Sequence, residues 1–185
     1  MRHLFLFGYF SFQDYPLEGQ RGLDRVDTFE KLKPIFSNPK LYWFITNAKF
    51  DLAALANEGA EIAGTVHCTV AIGRIERNNR MRYGLDALAK ELGHEKSKEV
   101  EEYIATHKLY RFEPGDDDDT PDKVPEFSRV PFELICRYAC KDARLSFLIG
   151  THQRAKILAT TQPVRPLEPV FRNELALTPV LFQME

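Results

Sequence analysis

The chain has 185 residues, a formal net charge of −2, and 44% hydrophobic and 12% aromatic residues, enough to bury roughly 70% of its unfolded surface without disulfide or metal staples. The small net charge excludes the broad basic footprint that drives extended duplex binding, and no apolar run reaches the length of a membrane span. Cys68, Cys136 and Cys140 form no even disulfide framework and the opening RHLFLFGYF lacks a small-residue cleavage site, so a reduced, cytoplasmic protein is expected.

In chain order, FLFGYFSF over residues 5–12 is a continuous apolar and aromatic run. It predicts a buried strand with Phe5, Phe7, Tyr9 and Phe10 in the core. QDYPLEGQRG turns the chain. VDTFEKLKPIFSNPK predicts a helix capped by Asp27 or Thr28 and stopped at its prolines, leading into a buried strand at residues 41–45 that carries Trp43. The Ala- and Leu-rich stretch after Asn47 predicts a second helix, and GTVHCT (64–69) a short strand or extended turn. VAIGRIE and GLDALAKELG predict two helices, the latter stopped by Gly93, and SKEVEEYIATHKLY a further amphipathic one.

PGDDDDTPDKVPEF holds six acids and three prolines in 14 residues. Such a segment cannot bury enough apolar surface to order itself, so residues 113–130 are expected to form a mobile acidic loop, with Asp116 to Asp119 solvated rather than holding a cation. From Pro131 a long helix is predicted to about Ala159, QPVRPLEP breaks it, and LEPVFRNELALTPVLFQME begins another. No internal repeat is visible. Alternating strands and helices imply a single α/β domain over residues 1–185.

Two acids stand out on otherwise apolar helices. In the long helix Ile135, Tyr138, Asp142, Leu145 and Ile149 follow at steps of 3, 4, 3 and 4, the spacing of one buried stripe, so Asp142 occupies a position where a Leu would be expected. Asn47 and Asp51 repeat the four-residue interval of Tyr138 and Asp142. An uncompensated buried carboxylate costs several kcal/mol, so each acid is a cap, an ion-pair member or a metal ligand. Two inward-facing acids on separate helices suit a hard divalent ion such as Mg²⁺. Equally, Asn47 can cap its helix, Asp51 can favour the positive helix end, and Asp142 can pair with a buried Arg or Lys.

Other residues carry weaker signals. Arg74, Arg77, Arg80 and Arg82 in GRIERNNRMRYG either contact a phosphate backbone or line a solvated loop, without interleaved aromatics to mark a stacking platform. His67 and Cys68 with Cys136 and Cys140 are zinc-ligand types, but their spacing fits no common finger or ribbon, and reduced cysteines are ordinary core residues.

TNAKFD, followed roughly 90 residues later by RYACKDARLSF, resembles the second and third motifs of the DnaQ-like 3′-5′ exonucleases, and more closely the proofreading domain of phage and bacterial family A DNA polymerases. TFEKLKPIFSNPK, EIAGTVHCT, GLDALAKELG and ELALTPVLFQME extend the likeness over nearly the whole chain. The resemblance implies an RNase H-like sheet flanked by helices and two-metal hydrolysis of single-stranded DNA 3′ ends with Mg²⁺ or Mn²⁺. In its terms Asp142 matches the third-motif acid at the first metal, Asp51 the second-motif acid that reaches the metals partly through water, and Tyr138 the tyrosine that orients the attacking water. Asn47 would steady the substrate or the loop. Residues 166–185 resemble the start of the segment leading to the polymerase portion, which is the implied partner.

The first motif, Asp-x-Glu, occurs nowhere in these 185 residues. Asp14 is the nearest early acid, but its segment follows the first motif in the family. The sequence therefore implies a chain without its first-motif strand, either a piece of a longer or split polymerase or a domain completed by another chain. Its exonuclease activity alone is expected to be weak or absent. The alternative is a catalytically silent single-stranded DNA-binding or scaffold domain.

Overall fold

In a computed structural model, the structure describes residues 11, 12, 15, 19, 21–113, 122–159 and 167–184. The predicted strand at 5–12 lies outside this set except for residues 11 and 12, which belong to no strand, and so do Phe5, Phe7, Tyr9, Phe10, Asp14 and the Asp116–Asp119 run. The chain divides into two compact units, Met1–Asp24 with Ser97–Lys141, and Arg25–Lys96 with Asp142–Glu185.

The second unit begins with helix α1 (Arg25–Phe36). The helix starts before the expected caps, so Asp27 sits in its first turn, paired to Lys31 at 2.7 Å, and Thr28 is buried. Strand β1 (Tyr42–Ile45) and strand β2 (Thr65–Cys68) pair in parallel, with Tyr42 opposite Thr65 and Ile45 opposite Cys68. Helix α2 (Ala48–Asn57) is the crossover between them, as parallel pairing requires. It packs Ala48 and Leu52 against Val66 and Cys68.

Helices α3 (Thr69–Glu76) and α4 (Leu85–Glu91) follow. Gly93 ends α4 as expected: its φ of +74° lets the His94 amide donate back to the Ala89 carbonyl at 3.0 Å, a conformation any side chain would strain. After helix α5 (Glu99–His107), strands β3 (Tyr110–Glu113) and β4 (Asp122–Pro125) and a 3-10 turn at Phe127–Arg129, the long helix α6 (Phe132–Ala159) matches its prediction closely. In the second unit α6 buries Leu145 and Ile149 against Leu88 and Ala89, and Ile157 against Ile72 and Phe171. Each such aliphatic side chain contributes about 1.5–3 kcal/mol when fully buried. Helix α7 (Leu167–Gln183) turns Phe171 and Thr178 inward and leaves Val170, Leu177, Val180 and Leu181 exposed.

In the first unit Val100, Ile104, Leu109, Val130 and Ile135 form the core with Tyr15. Of the segment expected as a loop over 113–130, residues 114–121 lie outside the described set. Its described part holds β4, antiparallel to β3 with Tyr110 opposite Pro125. Lys123 lies 3.7 Å from the centre of the Tyr110 ring, a cation–π contact that composition does not reveal. Among the described residues the strands thus form two two-stranded sheets, and no helix is long and apolar enough to cross a membrane.

Candidate functional site

The parallel register sets the site in the second unit. Because Ile45 and Cys68 are paired, the next residues, Thr46 and Thr69, leave the strand ends side by side with hydroxyls 2.9 Å apart. Thr46 Oγ1 also lies 2.9 Å from Ser146 Oγ on α6, and Ser146 donates to the Asp142 carbonyl at 3.1 Å. One proton order satisfies the chain: Thr69 donates to Thr46, Thr46 to Ser146, and Ser146 to the Asp142 carbonyl. The turn of α6 bearing Asp142 is thereby held to the residue preceding Asn47.

A second strand of this network resolves a tautomer. The buried Gln153 amide donates through Nε2 to the Thr69 carbonyl at 2.9 Å, so its Oε1 must face His67 Nε2, also at 2.9 Å. A carbonyl oxygen accepts only, so His67 carries its proton on Nε2, and Nδ1 accepts from the Tyr42 hydroxyl at 3.3 Å. His67 is 0% exposed. Burial, with a smaller opposing hydrogen bond to Gln153, pushes its pKa down from 6.5 to about 4.

That shift fixes a pH dependence. Between pH 6.5 and about 4 the unfolded chain binds a proton that the folded chain refuses, so this contribution to stability is complete above pH 6.5 and drains away as the pH falls. The full shift corresponds to about 3 kcal/mol, with roughly 2 kcal/mol lost at pH 5. Thermal unfolding at pH 7.5 and pH 5 should show the drop, and His67→Gln should flatten it; an equal drop in the variant rules His67 out as the cause. Asp51 opposes it weakly, because desolvation raises its carboxyl above the usual value and protonation then favours the folded form.

Asp142 is half-buried beside the network, and Lys96 Nζ stands 3.7 Å from its Oδ2. Asp51 corrects the expectation of two inward acids: α2 buries Ala48 and Leu52, one residue on from Asn47 and Asp51, and leaves Asp51 exposed. Asn47 takes the N-cap position, but in the left-handed region (φ 58°, ψ 53°) and without a side-chain capping bond. Asn tolerates that conformation better than most residues, which accounts for it at the turn from β1 into α2.

A sequence model of the 3′-5′ exonuclease family matches residues 9–156. The chain belongs to the 3′-5′ exonuclease family. It is 30% identical over 141 residues to the DNA polymerase DpoZ of Salmonella phage PMBT28, covering 75% of this chain and 21% of that protein. It is 28% identical over 166 residues to DNA polymerase I of Pseudomonas aeruginosa PAO1, covering 88% of this chain and 16% of that one. The chain thus spans about a fifth or less of these relatives' length.

The remaining exonuclease candidates fare unevenly. Tyr138, in the first unit, donates its hydroxyl to Glu101 Oε1 at 3.1 Å. Of the arginines, Arg74, Arg77 and Arg82 are exposed. Arg74 lies 5.6 Å from the centre of the Tyr83 ring. Arg80 keeps a largely buried side chain that pairs with Glu91. The connection is also more ordered than its polar composition suggests: Tyr83 donates to the Arg77 carbonyl at 2.6 Å and accepts from the Arg80 amide at 3.2 Å. Cys68 packs in the α2–β2 core, and the Cys140 thiol is pushed up by burial and by Cys136.

Mg²⁺ or Mn²⁺ asks for several hard oxygen ligands. Asp51 and Asp142 are the right donor type, but one is exposed and the other faces an ammonium. Among the described residues no three His, Cys, Asp or Glu side chains are grouped to hold an ion. The described residues do not fit a two-metal centre. The side chains that sequence reading passed over, Thr46, Thr69, Ser146, Gln153 and Lys96, are those that fix Asp142. A signal existed: Ser146, Gly150 and Gln153 follow Asp142 at steps of 4, 4 and 3, a small-and-polar stripe on a helix otherwise read for its apolar one.

Proposed function

We propose that this chain is a 3′-5′ exonuclease domain of RNase H-like fold that serves a family A DNA polymerase portion, and that by itself it hydrolyses single-stranded DNA 3′ ends weakly or not at all. What carries the reading is the environment of Asp142: the acid that matches the third motif faces Lys96 at 3.7 Å, in a chain without an Asp-x-Glu. Arg77 and Arg82, both exposed, supply charge for a phosphate backbone, so DNA contact and hydrolysis are separable here.

The missing motif favours a second reading, a silent single-stranded DNA-binding or scaffold domain. Both are tested by following mononucleotide release from a 3′-labelled single-stranded oligonucleotide in Mg²⁺ or Mn²⁺, alongside fluorescence anisotropy of the same strand. Losing one positioned electrostatic group costs roughly 10²-fold or more in rate, so release should be at least that much slower than from a domain carrying Asp-x-Glu. Robust turnover abolished by Asp142→Ala would overturn the proposal of weakness. Binding without release, weakened by Arg77→Ala and by salt, supports the silent domain.

A further inference from the structure

We infer that Lys96 is the resident counter-cation of Asp142: its ammonium, not a divalent ion, neutralises this carboxylate in the folded chain and opposes a metal there. The inference deepens the proposed function and rests on it only for matching Asp142 to the third-motif acid.

The placement of Lys96 is built into the fold. Helix α4 buries Leu88 and Ala89 against Leu145 and Ile149 of α6, and the left-handed Gly93 then turns the chain sharply out of α4. Lys96 is three residues further on. It arrives beside Asp142, which lies one turn before Leu145 on the same helix. The two side chains keep only 25% and 23% of their exposure, so the pair is screened far less than a surface ion pair. The separation of 3.7 Å is longer than a hydrogen bond and within ion-pair range, which is charge compensation without direct proton sharing. A divalent ion bound to Asp142 would stand next to this ammonium and be repelled by it. The site's hydroxyl network orients the Asp142 backbone, while Lys96 sets the charge its carboxyl sees.

The test reads stability rather than turnover, so it is independent of the nuclease assay. Thermal unfolding is measured in metal-free buffer and in millimolar Mn²⁺ for the wild type, Lys96→Gln, Lys96→Arg, Asp142→Asn and the Gln/Asn double variant. Without metal, each neutralising substitution should lower the melting temperature by about 1–3 °C, and the double variant by no more than Asp142→Asn alone, as coupled residues do. With Mn²⁺, Lys96→Gln should rise by about 2 °C or more, while the wild type and Lys96→Arg stay within about 1 °C and the double variant loses the response. Additive losses, or an equal Mn²⁺ response in the wild type and Lys96→Gln, overturn the inference. A chain that passes this test yet degrades DNA rapidly would overturn the proposed weak activity alone.

Discussion

Gly150→Ala destabilises the protein by about 2–3 kcal/mol, although the same change in an exposed helix interior normally stabilises by up to about 1 kcal/mol. Gly150 is buried in the middle of α6. A Cβ there would meet Phe44 Cδ1 at 2.0 Å, Cγ at 2.7 Å and Cε1 at 2.9 Å. An aromatic ring cannot yield as the tip of a long side chain can. Phe44 is also hemmed in, with the rings of Tyr42, His67 and Phe147 at centroid distances of 5.0, 5.1 and 5.6 Å. The added methyl must push α6 off β1 or drive Phe44 off its rotamer, and either cost exceeds the gain in helix propensity. Urea unfolding measures it. Phe44→Leu combined with Gly150→Ala should recover part of the loss; an unchanged or raised midpoint for Gly150→Ala alone would show that the strand and helix give way freely.

Gln153→Leu costs about 2–5 kcal/mol, with little change in side-chain volume. Gln153 serves two buried groups at once, donating to the Thr69 carbonyl and accepting from His67 Nε2, each at 2.9 Å. Leucine satisfies neither. Each orphaned buried group costs about 1–3 kcal/mol, whereas the bonds themselves are worth only about 1 kcal/mol each against water. The penalty therefore lies in what is left behind. Nitrogen chemical shifts of His67 supply a second reading, since the wild type should hold the Nε2–H tautomer and the variant should release it. A loss below about 1 kcal/mol would mean that water replaces the amide.

Most elements were legible because their signals are local. Helix α6 carries 28 residues of helical periodicity, β1 is a short apolar run, and Gly93 marks its own stop. The β3–β4 hairpin was not legible, because DKVP offers one half-buried side chain, Val124, and pairs only when Tyr110–Glu113 lies beside it. The site shows the same division. Tyr138 with Asp142 and Asn47 with Asp51 stand out by their shared four-residue interval, but whether an acid points inward depends on a one-residue phase. On α2 the phase falls on Ala48 and Leu52. Lys96 could not be assigned to Asp142 from sequence, since 46 positions separate them and only the packing of α4 on α6 joins them.

Helix α7 makes a practical demand on anyone who purifies this chain by itself. Its outward row of Val170, Leu177, Val180 and Leu181 is an oily ridge, and ammonium sulfate, which strengthens apolar association, will bring such a ridge together between molecules. Dilute stocks at moderate ionic strength will stay clear longer than concentrated ones. A polar replacement at Leu177, whose side chain is exposed, will extend shelf life.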